Sequence, residues 1–307
     1  NKLYEVFSGV KNALSTVCNA RIQGVYDLLS GRFVSFSIDT YSENDLKVAE
    51  MIDVLDGDLV LRDRGYFTLP AIDKMKKQGA NSISRYKHKT KFCDPDSLEE
   101  IDLLKRLQLS GSLDITVVSG AHKDIKVRIL AAPVPEEVAN IRRMRAKKEA
   151  KNRGCSYELL QLLGWTIFIT TIEDSAFTMQ QAARLYALRW RIESIFKTWK
   201  SHLSFDKIHD VSQLQLRVIL HARFIMITLL YEKLHEPLKK TVLSKHGKQL
   251  SLIKFMRYIS RNLIEFIEQY IDEKRIDRAI GKVARYCTYE KRRRTNFVDL
   301  MELNGLT

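Results

Sequence analysis

Residues 178–200 carry the pattern that decides the fold of this 307-residue chain, and they read Thr178-Met-Gln-Gln-Ala-Ala-Arg-Leu-Tyr-Ala-Leu-Arg-Trp-Arg-Ile-Glu-Ser-Ile-Phe-Lys-Thr-Trp-Lys200. The first four residues form a capping box, which is typical of a helix start. Apolar residues then recur at helical spacing, at Leu185, Leu188, Ile192, Ile195 and Trp199. The stretch therefore predicts one long helix with a buried face.

Four polar residues of this helix fall on a neighbouring face. They are Tyr186, Arg189, Glu193 and Lys200. At about 100° per residue they share a stripe roughly 60° wide. This places a carboxylate at the edge of the core, between an Arg and a Lys. The plain alternative is a surface ion pair, since Arg189 and Glu193 have i, i+4 spacing.

The segments upstream of this helix predict an α/β sheet domain. Residues 20–40 indicate a β-hairpin around the turn dipeptide Ser30-Gly31, and residues 42–55 show the spacing of an amphipathic helix. Residues 58–63 form a short apolar strand that ends in Asp63, and residues 165–172 are β-branched and aromatic, as in a buried central strand. This order of elements is typical of the α/β class.

Between these segments, residues 88–163 have a different character. Residues 113–117 and 125–129 alternate apolar and polar side chains, which indicates antiparallel strands. The run from Arg142 to Arg153 is strongly basic and of one sign. We interpret Arg142, Arg143 and Arg145 as phosphate contacts, with a solvated helix face as the alternative.

The composition favours a polyanionic partner. The chain has 51 Lys and Arg residues and 37 Asp and Glu residues, which gives a net charge of +14. Nucleic acid is the first candidate for such a partner and an acidic membrane surface the second. The four cysteines form no C-x-x-C pair, so the sequence indicates a reducing cytosol and neither a zinc site nor a disulfide framework. The most apolar stretch, residues 224–230, is too short to span a bilayer, so we expect no membrane span.

The spacing Tyr186-x2-Arg189-x3-Glu193-x6-Lys200 resembles the signature of the IS-four family of bacterial DDE transposases. Asp63-Arg-Gly-Tyr66 looks like the second acidic motif of that family, and residues 165–170 look like its strand before the signature helix. The resemblance covers about residues 20–230. It implies an RNase H-like catalytic core with a β-rich insertion, followed by a helical C-terminal region.

The resemblance also implies roles for single residues. Asp63 and Glu193 would be catalytic and would bind two Mg²⁺ or Mn²⁺ ions. The DNA contacts would come from Tyr186, Arg189, Trp190, Lys197 and Lys200, besides the three arginines of the basic run. Trp190 has core packing as its alternative. The chemistry suits these residue types, because carboxylates bind Mg²⁺, Arg grips phosphate in a bidentate way and Lys supplies a point charge.

One departure from the family concerns its first catalytic Asp, which precedes the hairpin. Residues 1–19 contain no Asp, and neither Asp27 nor Asp39 matches the required motif. We expect that the numbering starts some ten residues too late to include this Asp and that the chain as numbered is inactive. The alternative is a catalytically inactive, transposase-derived DNA-binding protein. Another RNase H-like nuclease, such as a resolvase, is a third hypothesis.

The predicted organisation has four parts: residues 1–87 and 164–210 as the two parts of the RNase H-like core, 88–163 as the insertion, and 211–307 as the helical region. The expected activity is metal-dependent cleavage of double-stranded DNA at transposon ends, followed by strand transfer into target DNA. We also expect a homodimer on the DNA ends, and a location in the bacterial cytoplasm at the nucleoid.

Overall fold

The structure, a computed structural model, describes residues 11–12, 15–16, 20–40, 52–151, 154–209, 211–290 and 297–306. The chain folds as two compact units. One is Glu43–Arg189, and the other combines Asn1–Ser42 with Trp190–Thr307. The helix predicted over 42–55 falls mainly on residues 41–51, which lie outside the described part.

Nine strands occur in the described residues: β1 (Lys11–Asn12), β2 (Ser15–Thr16), β3 (Ala20–Asp27), β4 (Arg32–Thr40), β5 (Leu59–Arg62), β6 (Asn81–Arg85), β7 (Leu113–Ser119), β8 (Ile125–Pro133) and β9 (Trp165–Thr170). The helices of the first unit are α1 (Leu69–Lys77), α2 (Leu103–Ser110), α3 (Glu136–Ala150), α4 (Tyr157–Leu162) and α5 (Met179–Ala187). Those of the second are α6 (Trp190–His202), α7 (Gln213–Leu229), α8 (Glu236–His246), α9 (Leu252–Tyr270), α10 (Ile276–Tyr286) and α11 (Phe297–Leu303). A π-helical turn, Leu230–His235, joins α7 to α8.

The unit Glu43–Arg189 is built on a five-stranded sheet in the order β5-β6-β9-β8-β7. Strands β5 and β6 are parallel, and the other neighbours are antiparallel. Parallel neighbours need a crossover connection, and α1 supplies it between β5 and β6. The sheet and its helices confirm the predicted α/β class.

Both faces of this sheet are covered, which explains why β9 is apolar along its whole length. Ile167 and Ile169 point to one hydrophobic cluster, and Phe168 between them points to another that includes Tyr186 of α5. This alternation is the two-residue period of a strand. The face beneath α5 is the one that positions the candidate site.

Strands β7 and β8, which the sequence analysis assigns to an insertion, pair with the central sheet. Arg128 of β8 lies opposite Thr170 of β9, and the register continues to Pro133 opposite Trp165. The predicted boundaries of the four parts stay a prediction.

The second unit is mainly helical, with the predicted hairpin of β3 and β4 packed on its core. Its buried centre is formed by residues of α6 to α10, and Ile22, Phe33 and Phe36 of the hairpin lie against it. At the turn, Gly31 has φ of +71°, and a Cβ there would lie 3.1 Å from the hydroxyl of Tyr231. Glycine is therefore required by both conformation and space.

The prediction of one helix from Thr178 to Lys200 is wrong in its continuity. The capping box between Thr178 and Gln181 is present, but α5 ends at Ala187 and α6 begins at Trp190. The amide of Leu188 donates to the carbonyl of Leu185, and that of Arg189 to the carbonyl of Tyr186. These i to i−3 bonds tighten the helix end into a 3₁₀-type turn. The four signature residues therefore lie on two helices and the turn between them.

Candidate active site

Asp63 lies directly after β5, at the strand end where the sequence analysis predicts it. It precedes a short 3₁₀ turn, Arg64–Tyr66, and its side chain is 49% exposed. The preceding residue, Arg62, is buried, and burial lowers the pKa of its guanidinium to about 10. Asp63 therefore stands at the point where the chain leaves the core, with its carboxylate open to ligands.

Arg189 is the neighbour of this carboxylate within the same unit. Its Nη2 atom lies 3.7 Å from Oδ1 of Asp63, and its guanidinium lies over the ring of Tyr186 at 5.4 Å from the centroid. The structure thus brings together Asp63, Tyr186 and Arg189. The sequence analysis placed Tyr186 and Arg189 on one helix stripe, whereas the turn after α5 is what turns Arg189 toward Asp63.

Tyr186 is held in place by the core of the sheet unit. Its ring is buried and lies 5.2 Å from the ring of Phe168. Burial raises the pKa of its hydroxyl, although the charge of Arg189 acts in the opposite direction. The phenol is therefore neutral and offers a hydroxyl and a ring edge to the site.

Arg85 is a further member of this cluster that the sequence analysis missed. It ends β6, and its guanidinium lies 4.9 Å from the ring centroid of Phe168 and 5.6 Å from that of Tyr186. Burial lowers its pKa, as do the charges of Arg142, Arg189 and Arg64. In the described part of the chain no hydrogen bond or ion pair holds this guanidinium. An isolated Arg at a strand end has no periodic signal, so sequence alone could not single it out.

The cluster carries a surplus of positive charge. The guanidiniums of Arg64 and Arg189 lie near enough to Arg85 to repel its charge, and the Asp63 carboxylate lies beside Arg189. Such a surplus in a half-buried place favours an anion that presents several oxygens, and Arg suits phosphate in this role. The arrangement can therefore grip a phosphodiester beside a carboxylate.

The remaining signature residues lie on α6, in the second unit. Trp190, Glu193, Lys197 and Lys200 are all exposed, and their spacings of three, four and three put them on one face. Trp190 is 60% exposed, so the alternative of core packing is wrong for it. The opposite face of α6 is buried through Ile195 and Trp199, as the periodicity predicts.

The three arginines of the basic run have different surroundings. Arg142 donates to the carbonyl of Trp165 at 3.0 Å and to Oγ1 of Thr166 at 3.1 Å, and burial lowers its pKa. Arg143 donates to the carbonyl of Leu160 and to Glu136. Only Arg145 is exposed. Arg142 thus ties α3 to the start of β9, and Arg143 ties α3 to α4, roles that the sequence analysis did not foresee.

The donor chemistry for a metal ion is present only in part within each unit. No group of three His, Cys, Asp or Glu side chains gathers anywhere in the described residues. Asp63 and Glu193 belong to different units, and each offers an exposed carboxylate. Mg²⁺ is commonly bound by one or two carboxylates together with substrate phosphates. Each carboxylate by itself is the kind of ligand that this mode of binding uses.

One helix in the described residues is long and apolar enough to cross a membrane, by length and composition alone. The π-helical turn continues α7 into α8, so Gln213–His246 forms a 34-residue helix with a hydropathy of 1.4 over its most apolar window. The core helix of a soluble protein meets the same criteria. Several of its apolar side chains, among them Leu220, Ile227 and Leu238, lie in the hydrophobic core of the second unit.

Residues 12–229, well over half of the chain, match the family of transposase DDE domains. The chain belongs to this family. The α/β sheet and the helical C-terminal region are consistent with the RNase H-like domain of a DDE transposase, and the family assignment confirms the resemblance noted from Tyr186 to Lys200.

Bacterial relatives support the same family. The chain is 29% identical over 269 residues to the transposase for insertion sequence element IS231F of Bacillus thuringiensis subsp. israelensis. This alignment covers 79% of this chain and 56% of the relative. It is 28% identical over 254 residues to the IS231B transposase of Bacillus thuringiensis subsp. berliner, covering 75% of this chain and 53% of the relative. It is 26% identical over 257 residues to the IS1151 transposase of Clostridium perfringens. This alignment covers 76% of this chain and 54% of the relative. The chain spans about half the length of these relatives.

Proposed function

We propose that this chain is the catalytic region of an insertion-sequence transposase, which cuts DNA at the transposon ends and joins the freed strands to target DNA. The observation that supports this most is the cluster of Asp63, Arg189, Tyr186 and Arg85, in a chain of the DDE family. A carboxylate beside guanidinium groups offers both a metal ligand and phosphate-binding donors, which suits phosphodiester chemistry. The relatives named above are insertion-sequence transposases.

The phosphate is bound by the arginines in this proposal. Arg85 and Arg189 approach it from two sides of the Tyr186 ring, which holds both guanidiniums in place. Arg gives two parallel hydrogen bonds to phosphate oxygens and so fixes the orientation of the scissile bond. Lys197 and Lys200 hold the DNA backbone, and Trp190 stacks near the transposon end. Arg145 adds a contact from α3.

Asp63 and Glu193 would hold two divalent ions, Mg²⁺ or Mn²⁺. When bound, such a pair neutralises charge on the attacking and leaving oxygens of a phosphodiester. The carboxylates supply hard oxygen ligands, and the neighbouring arginines orient the phosphate between them. Water is the first nucleophile and releases a 3′-hydroxyl, which then attacks the target strand.

The partners follow from the charge and the family. We propose double-stranded DNA as substrate, both as transposon end and as target, with a homodimer on the paired ends and a location at the bacterial nucleoid. The net charge of +14 supports a DNA partner. The predicted four-part organisation, with 1–87 and 164–210 as the catalytic core, belongs to the same proposal.

The test uses the full-length protein and a labelled transposon-end duplex in Mg²⁺. Glu193→Ala should abolish nicking and strand transfer and leave DNA binding nearly intact, because it removes a metal ligand and a repulsive charge. Folding is checked by circular dichroism. A folded Glu193→Ala protein that cuts as well as its parent would overturn the enzyme proposal. A parent that binds DNA without cutting would support an inactive DNA-binding derivative.

A further inference from the structure

Arg191 is buried in the first turn of α6, on the side opposite Glu193. Arg191 is only 9% exposed, whereas Glu193 is exposed. Two residues along a helix correspond to about 200°. The direction in which Glu193 points is therefore coupled to the way in which Arg191 is held.

The contacts of Arg191 are unusual for a buried cation. Its Nη2 atom lies 3.5 Å from the hydroxyl of Tyr231, and its guanidinium lies 4.5 Å from the ring centroid of Phe297. Its Nε atom is buried and has no acceptor among the described residues. Within the same described residues, no ion pair to Arg191 occurs. A buried charge of this kind is costly unless its surroundings compensate it.

The compensation comes from a polar network centred on Tyr231. The hydroxyls of Tyr231 and Tyr26 lie 2.9 Å apart. The ring of Tyr231 stacks on His235 at 5.1 Å. The Tyr231 hydroxyl thus accepts from Arg191 and shares a hydrogen bond with Tyr26, so two phenol groups solvate the buried guanidinium.

The charge states of this network are consistent with that role. Burial lowers the pKa of His235, so its ring is neutral and donates from Nδ1 to Glu236 at 3.2 Å. Burial opposes ionisation of Glu236, but its hydrogen bond with His235 and the charge of Lys239 outweigh burial and hold its pKa at about 2. Glu236 therefore carries its negative charge at neutral pH.

The network also joins separate elements of the unit. Arg191 is on α6, Tyr26 is on β3, and both meet at Tyr231 in the π-helical turn. A π-helical turn inside longer helices occurs frequently at functional sites. In this turn Tyr231 and His235 lie on the same side. Residues four apart also share a face in a regular α-helix, but with a different angle between their side chains.

We propose that Arg191 is a positioning residue for Glu193: the network of Arg191, Tyr231 and Tyr26 sets the rotation of the first turn of α6 and so the direction of the Glu193 carboxylate. This rests on the proposed function, in which Glu193 is a metal ligand. Residues that orient metal ligands typically change metal affinity or activity about 10- to 100-fold when they are replaced.

The experiment compares Arg191→Met, Tyr231→Phe and Tyr26→Phe in the full-length protein. Methionine keeps an unbranched stem without the charge, and each phenylalanine removes only a hydroxyl. Arg278→Met is the matched control, because Arg278 is exposed on α10. Three quantities are measured: binding of transposon-end DNA, the rate of strand cleavage, and Mn²⁺ binding to the DNA complex from the electron paramagnetic resonance signal of free Mn²⁺.

The proposal predicts that Arg191→Met and Tyr231→Phe weaken Mn²⁺ binding and slow cleavage about tenfold or more, with DNA affinity unchanged. A purely structural role would lower the fraction of active protein and leave the Mn²⁺ affinity of that fraction unaltered. If Arg191→Met fails to fold, the two phenylalanine variants decide the matter. Parent-like Mn²⁺ binding in both of them would overturn the proposal.

The same experiment separates this proposal from the proposed function. Glu193→Gln is included as the reference for loss of the carboxylate. If Glu193→Gln is inactive while the network variants bind Mn²⁺ and cut as the parent does, the positioning role fails and the catalytic role of Glu193 stands. If Glu193→Gln cuts normally, the proposed function itself fails.

Discussion

The guanidinium of Arg189 lies 3.7 Å from the carboxylate of Asp63, although the two residues come from distant parts of the sequence. Arg189 follows the end of α5 and Asp63 follows the end of β5. The contact therefore joins the ends of two elements of the same unit. The candidate phosphate-binding group and the candidate metal ligand are therefore adjacent before any DNA is bound.

Replacing Arg189 should weaken binding to the transposon end more than it affects the fold. A hydrogen bond to a charged group is worth about 1.5–3 kcal/mol, so Arg189→Ala should lower the affinity for cleaved-end DNA about 10- to 100-fold. Titration with end DNA and with unrelated duplex measures this, with Arg278→Ala as control. Equal weakening by both variants would show that only overall charge matters.

Arg85 should contribute to DNA binding without contributing to stability. Its guanidinium is partly buried among Arg142, Arg189 and Arg64, so Arg85→Met removes a repulsive charge, which offsets the lost contact of the guanidinium with the Phe168 ring. We expect weaker DNA binding with an unchanged or higher free energy of unfolding, measured by urea titration. A loss of stability of about 2 kcal/mol or more would instead give Arg85 a structural role.

The basic run should separate into structural and DNA-binding arginines. Arg142 and Arg143 donate to part-buried backbone carbonyls, so their replacement by Met should remove these bonds and cost about 1–3 kcal/mol of stability each. Arg145→Met should leave the melting temperature unchanged, because Arg145 is exposed. Thermal unfolding followed by circular dichroism distinguishes them, and equal melting temperatures for all three variants would contradict the assignment.

Binding to duplex DNA should depend strongly on salt. Neutralising Z phosphates gives a slope of about −0.9Z in log K against log salt concentration, and the net charge of +14 provides many candidate contacts. Loss of one phosphate contact in Arg145→Ala should reduce the steepness of the slope by about one unit. An affinity that barely changes with salt, or an Arg145→Ala slope identical to that of the parent, would argue against this surface.

The elements of the site could be predicted from sequence because each has a strong local signal. Thr178 and Gln181 form the capping box that begins α5, and the run from Trp165 to Thr170 is the central strand β9. Asp63 follows a short apolar strand and lies at its end. Local capping and periodicity determine features of this kind.

The contacts between elements could not be predicted in the same way. The break after Ala187 leaves the apolar spacing from Leu185 to Trp199 uninterrupted, so periodicity does not reveal it. In the sequence Arg142 is one charge among many in its run, yet its partners are Trp165 and Thr166, which are close to it only in the fold. Arg85 and Arg191 owe their surroundings to residues from other elements, and no local pattern records those.

The most direct test of the account is a crystal structure of the protein with Mn²⁺ and transposon-end DNA, in which the metal is located by its anomalous scattering. The account predicts an ion bound by both Asp63 and Glu193 at about 2.1 Å from their oxygens, with the two carboxylates on the order of 4–7 Å apart. Mn²⁺ bound elsewhere, or these carboxylates held well beyond that range with the DNA end engaged, would contradict it.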